Sequence, residues 1–157
     1  MQSIINRFTM RMQAVAQGDA WYGMNAKEAL DKIPAEIATK RFHGQHNIAE
    51  ILKHMIQWKR FCYEKAVGNV DFDIYGSSEH DWETMDSITI KEWSGLKAKY
   101  FTINEDLIDA ILNMEKEWLD QSVPGRKYTY AFLYNGIIEH DIYHLGQIIF
   151  IYKMTQA

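Results

Sequence analysis

The sequence predicts an all-α protein, a four-helix bundle with one short extra helix in its first connection. Three observations favour this fold. Four segments place apolar residues three and four positions apart, two of these segments begin with a capping box, and none alternates apolar with polar residues as a half-buried strand does. Since 157 residues can bury one continuous core and only two of them are proline, we expect a single domain over residues 1–157.

The first long helix is predicted from an apolar stripe that fades at Gly18. The stripe consists of Ile4, Ile5, Phe8, Met12 and Val15. In the connection that follows, the letters AKEALDKI indicate a short helix over residues 26–33. Pro34 should end it, because proline has no backbone N–H to continue the hydrogen-bond ladder.

The second and third long helices each open with a capping box, in which a cap side chain and a glutamate three residues later bond to each other's backbone N–H. Asn47 and Glu50 form the first box, and their helix should run to about Gly68. Thr89 and Glu92 form the second. The apolar stripe that follows predicts one helix up to the letters SVPGRK. Its members are Trp93, Leu96, Tyr100, Ile103, Leu107, Ile111, Met114 and Trp118.

The fourth long helix should span about Tyr130 to Met154. It is apolar on nearly all sides, apart from one strip. That strip consists of Asn135, Glu139, Gly146 and Lys153. A helix of this composition is usually buried on more than one side, so we expect it at the centre of the bundle or at a contact between subunits.

Composition and charge argue against several classes of protein. The net charge of −4 and the pI near 5.8 do not suit a nucleic-acid partner, since binding to phosphates relies on clustered Lys and Arg. No apolar stretch approaches the roughly 18–20 residues of a membrane span, and Arg7 and Arg11 interrupt the N-terminal apolar residues. The single cysteine, Cys62, suits a reducing compartment. We therefore expect a cytoplasmic protein.

Two histidines, His140 and His144, stand four positions apart in the fourth helix, within the letters EHDIYHLGQ. They share a helix face with Gln147 and with apolar residues, so both imidazoles should point into the bundle. Cβ atoms four residues apart lie about 5–6 Å from each other, which allows two imidazoles to bind one metal ion. The alternative is a core role in which each neutral ring is hydrogen-bonded.

The candidate third ligand is His54, which shares the inward face of the second helix with Trp58 and Phe61. One metal ion would give all three buried imidazoles a partner at once. The two aromatic residues either wall a pocket or belong to the core. Gln147 either holds a ligand or a bound water, or joins two helices by hydrogen bonds.

The remaining histidines fall in expected loops. They are His43, His46 and His80, of which His43 and His46 form a second, less favoured candidate site. Cys62 is interpreted as packing, and the capping box explains Glu50. No catalytic base is identified.

Two stretches of the chain resemble the signature stretches of the DinB-like superfamily, which includes the bacillithiol-dependent transferases and is related to mycothiol-dependent maleylpyruvate isomerase. They are IAEILKHMIQW and EHDIYHLGQI. The resemblance implies a four-helix bundle of the DinB-like type that binds one divalent metal ion, zinc or nickel. It also implies that His54, His140 and His144 are the ligands, and that the protein forms a homodimer.

Three neutral imidazoles around a divalent ion leave a coordination position open, as in catalytic rather than structural zinc sites. That position suits a thiol or a water, either of which loses a proton more readily on a metal. The expected function is a metal-dependent enzyme acting on a small molecule, either a thiol-dependent S-transferase or a hydrolase. A non-catalytic dimeric bundle that binds metal or ligand is the alternative, and a bundle with purely structural histidines is a third.

Overall fold

A computed structural model describes residues 3–42, 44–74 and 81–156 of the chain. His43 and His80 lie outside these ranges, so the suggested pairing of His43 with His46 is not described. The described ranges contain six α-helices and one 3₁₀ helix. They are α1 (Ile4–Gln17), α2 (Ala26–Asp31), α3 (Ala35–Ala38), α4 (Ile48–Ala66), α5 (Ile90–Leu112), the 3₁₀ helix (Lys116–Asp120) and α6 (Tyr130–Met154).

Four of these helices are long, which confirms the predicted all-α bundle. The capping boxes at Asn47 and Thr89 are both present, and each cap side chain accepts a bond from the backbone N–H of the glutamate three residues on. Helix α6 has the predicted bounds. None of the described helices combines the length and the apolar character needed to cross a bilayer.

Two predicted boundaries are wrong. The short helix of the first connection ends at Asp31, and a second short helix, α3, follows Pro34. Helix α5 ends at Leu112, so Trp118 belongs to the 3₁₀ helix and not to α5. The α5 terminus is fixed by Asn113, whose backbone N–H and side-chain amide both donate to the carbonyl of Asp109, at 3.2 and 2.8 Å.

Helix α4 packs against both α5 and α6, and α1 packs against α5 and α6 on the other side. Helix α6 buries nine of its residues but exposes three aromatic side chains, Phe132, Tyr143 and Phe150. Its apolar surface is therefore only partly covered within one chain. The contact between α4 and α6 brings together the two helices that carry the inward histidines.

A buried ion pair joins these two helices. Lys59 of α4 and Asp141 of α6 are each 1% exposed, with 2.6 Å between Nζ and Oδ2. The ammonium also donates to Asn104 Oδ1 at 2.8 Å, and the hydroxyl of Tyr100 donates to Asp141 Oδ2 at 3.1 Å. Both of these partners lie on α5. One polar network therefore connects three helices inside the core.

Replacing Lys59 alone should destabilise the fold strongly. Lys59→Met leaves the Asp141 carboxylate buried without its cation, and we expect the free energy of unfolding to fall by about 3–5 kcal/mol in urea titrations followed by circular dichroism. The double variant Lys59→Met/Asp141→Leu should lose less than the sum of the two single variants, since no charge stays unpaired. Lys53→Met is the control, because Lys53 is a half-buried lysine of the same helix α4 that pairs with Glu83 near the surface, and it should cost under about 1 kcal/mol. Additive losses would contradict this interpretation.

Candidate metal centre

The three predicted histidines come together between α4 and α6. One ring nitrogen from each of His54, His140 and His144 lies within 4.8 Å of the other two. The Nε2 atoms of His54 and His140 are 3.0 Å apart, and the ring centroids of His140 and His144 are 4.4 Å apart. Within the described ranges, no Asp, Glu or Cys joins this cluster.

Hydrogen bonds to the outer ring nitrogens orient two of the imidazoles. His54 Nδ1 lies 2.8 Å from a carboxylate oxygen of Asp81, and His144 Nδ1 lies 2.6 Å from Gln147 Oε1. Both partners are acceptors, so Nδ1 carries the proton and Nε2 keeps a lone pair that is available to a metal ion. His140 Nδ1 is buried and has no hydrogen-bond partner in the described part of the chain.

Burial keeps the three rings neutral at pH 7. Loss of solvation, together with the neighbouring His144 and His54, lowers the pKa of His140 to about 3. Loss of solvation also lowers the pKa of His144 to about 4 and lowers the pKa of His54, which the Asp81 carboxylate partly offsets. A neutral imidazole is the form that binds a metal ion.

This donor set fits a divalent transition metal. Nitrogen ligands at about 2.0–2.1 Å from a tetrahedral ion lie about 3.3 Å from one another, and the cluster nitrogens are near that spacing, with one pair at 3.0 Å and all within 4.8 Å. Three imidazoles suit zinc or nickel rather than magnesium or calcium, which prefer oxygen ligands. His54, His140 and His144 could therefore hold a metal ion.

Two important neighbours of the cluster, Asp81 and Trp82, were missed in the sequence. Asp81 is buried and also accepts a bond from Trp58 Nε1 at 3.0 Å. Trp82 stacks on His54 with 3.9 Å between ring centroids, and its indole also stacks on His46 at 3.8 Å. Both residues lie in the connection before α5, where the sequence has no apolar periodicity. The only sequence signal for Asp81 was the general rule that a metal-binding histidine needs a hydrogen-bond acceptor for its other ring nitrogen.

The other predicted residues have distinct environments. Trp58 packs at ring-centroid distances of 6.3 Å from His54 and 5.9 Å from His140, beside the cluster. Phe61 is fully buried and packs on Trp58 in the core. Cys62 is also fully buried, and loss of solvation raises the pKa of its thiol, which suits packing rather than nucleophilic chemistry.

Glu50 has more partners than a capping box provides. It is 2% exposed, forms an ion pair with Arg41, and accepts a bond from the backbone N–H of Met85 at 2.8 Å. His46 Nδ1 lies 3.3 Å from the same carboxylate. Glu50 therefore fixes the segment before α4 and the connection before α5 against each other.

A cleft of about 640 Å³ opens beside the cluster at His144. Its lining includes Trp82 and His46, together with Tyr143, Gln147 and Phe150 of α6. A volume of this size is typical of small-molecule sites. The cluster thus lies at the edge of a ligand-sized cleft.

The fold and the cluster together define a class of protein, a helical bundle with three clustered histidines able to hold a metal ion beside a cleft. The chain belongs to the DinB superfamily, whose family model matches residues 21–148 and so includes all three histidines. This confirms the resemblance noted in the sequence. Neither a curated protein nor a solved structure matches the chain.

Removing any one of the three histidines should abolish tight metal binding. His54→Ala, His140→Ala and His144→Ala are each expected to lower bound zinc or nickel well below about one equivalent per untagged chain, measured by elemental analysis after dialysis. His46→Ala is the matched control, since it removes an imidazole from the same neighbourhood without removing a cluster nitrogen. Full metal content in any of the three alanine variants would exclude that residue as a ligand.

Asp81 should tune metal affinity through His54. Asp81→Asn keeps the shape of the side chain but removes the charge beside His54 Nδ1, and we expect zinc affinity to fall by about 10–100-fold in competition with a chelator. Asp71→Asn, at an exposed position, is the control and should leave the affinity unchanged. An unaltered zinc affinity in Asp81→Asn would show that this contact only packs the connection.

Proposed function

We propose that the protein is a divalent-metal-dependent enzyme that acts on a small molecule bound in the cleft. His54, His140 and His144 would hold the ion, zinc or nickel. The observation that carries the proposal is the position of His144, which belongs to the imidazole cluster and also lines the cleft. A ligand in the cleft therefore lies next to the place where the ion would bind.

Three neutral nitrogen ligands support catalysis rather than a structural role. Structural zinc sites close with four protein ligands, whereas a three-histidine set leaves a position for substrate. When bound, the ion supplies Lewis acidity that lowers the pKa of a coordinated thiol or water. Asp81 and Gln147 hold the protons on the outer nitrogens of His54 and His144, and Trp82 covers one face of His54 against water.

Thiol-dependent S-transfer is the reaction that we favour. The thiolate sulfur forms a bond to an electrophilic carbon, the leaving group departs with the electron pair of the broken bond, and the thiol proton passes to solvent. Hydrolysis of a small molecule would use the same open position for water. Within the described ranges no carboxylate joins the cluster, which favours the thiol, because thiols need less help from a general base than water does.

Binding without turnover is the second candidate. The lack of a carboxylate in the described cluster motivates this candidate too, because a catalysed reaction would have no obvious general base there. A homodimer is part of either proposal, because α6 exposes Phe132 outside the cleft and could pack it against a second copy.

A screen that pairs small thiols with electrophiles such as epoxides and chloroarenes tests the reaction. We expect turnover with zinc- or nickel-loaded protein, and we expect His144→Ala to lower the rate to that of the metal-free protein. Asp71→Asn is the control. Asp71 is exposed and belongs neither to the histidine cluster nor to the cleft lining, so this variant should retain the full rate. Metal-loaded protein that turns over no pair in the screen would support binding without catalysis.

A further inference from the structure

We propose that the cleft selects a substrate with one metal-binding head and a long, uncharged, apolar tail. This inference rests on the proposed function for the head, which would reach the ion at the cluster. The tail is inferred from the shape and charge of the cleft alone.

The cleft is elongated along α6. Four of its lining residues, His144, Gln147, Ile151 and Met154, follow one another at steps of three and four, so they share one face of the helix. At 1.5 Å per residue, the distance from His144 to Met154 along the helix axis is about 15 Å. The histidine cluster lies at one end of this row, and the other end reaches the last turn of α6.

The side chains along the cleft are mainly apolar. Besides the histidines, the lining includes the apolar side chains of Phe150, Ile151 and Met154 of α6, of Ile51 of α4, and of Phe42. Burial of a methylene group against such a surface contributes about 0.8 kcal/mol, which corresponds to about fourfold in affinity. A tail that lies along the row should therefore bind more tightly as it lengthens.

Charge complementarity for an ionic tail is missing. No Lys, Arg, Asp or Glu side chain lines the cleft among the described residues. Arg41 precedes the cleft residue Phe42 in the chain, but its guanidinium is already paired with Glu50 and Asp86. A carboxylate or an ammonium on the tail would lose its hydration without gaining a partner, which costs affinity.

The first experiment compares two series of thiols on zinc-loaded protein by calorimetry. The straight-chain alkanethiols should gain about fourfold in affinity per methylene until the tail fills the cleft. The ω-mercaptocarboxylates of equal length should gain little or nothing, because their charged end enters the same apolar surface. The inference would be overturned if the affinity of the alkanethiols did not change with chain length, or if the affinities of both series rose equally with chain length.

The second experiment separates this inference from the proposed function. Straight-chain alcohols are titrated against metal-free protein with tryptophan fluorescence as the readout, since Trp82 lines the cleft. Their affinity should rise with chain length without any metal. Failure to bind zinc would reject the proposed function and still leave this series to decide the inference, and a flat alcohol series would reject the inference alone.

A lysine at the far end of the cleft should reverse the preference. Met154→Lys is expected to weaken the longest alkanethiol and to strengthen the mercaptocarboxylate whose carboxylate reaches the new ammonium. Leu112→Lys is the matched control, because Leu112 ends α5 and is 49% exposed against 48% for Met154. If the two lysines had equal effects, the change in net charge alone would explain the result, and the inference would be overturned.

The affinity of the alkanethiols should not depend on protein concentration. An affinity that falls as the protein concentration rises would overturn the inference, because it would show that a second copy covers the cleft.

Discussion

The geometry of the histidine cluster depends on how α4 and α6 are held against each other. Lys59 and Asp141 form a fully buried ion pair across this contact, and Asp141 directly follows His140 in the chain. A buried charge pair tolerates little displacement, because an unpaired ammonium or carboxylate in the core is far more costly than a shifted apolar contact. The bonds to Tyr100 and Asn104 extend the same constraint to α5. The network therefore restricts the sliding of one histidine-bearing helix along the other.

The cluster itself places three polar rings where apolar packing would be simpler. Burial lowers the pKa of each imidazole. The rings are therefore neutral, and their burial costs hydration free energy. Asp81 and Gln147 compensate two of the outer nitrogens, while His140 Nδ1 has no described partner. Such an arrangement is understandable when the inner nitrogens share one cation, since a metal ion satisfies several acceptors together.

The helices and the three histidines could be predicted because their signals are local and periodic. Asn47 and Thr89 mark helix starts by side-chain chemistry, and the spacing of His140 and His144 fixes their common face. The end of α5 could not be predicted in this way, since apolar spacing continues through Trp118 after the chain has left the helix. Lys59 and Asp141 were missed because charged residues are normally assigned to solvent, and their pairing depends on tertiary contact. Asp81 and Trp82 belong to a connection whose position no local pattern specifies.

Asp81 and Trp82 are adjacent in the chain, and both act on His54 from outside the helices. The connection before α5 thus carries the acceptor that sets the ring's proton and the indole that covers its face, while the bundle carries the three histidines. Substitutions in this connection can alter the basicity and the accessibility of the centre without disturbing the packed core. The scaffold and the surroundings of the histidine cluster are therefore carried by different parts of the chain, so that one can change while the other is kept.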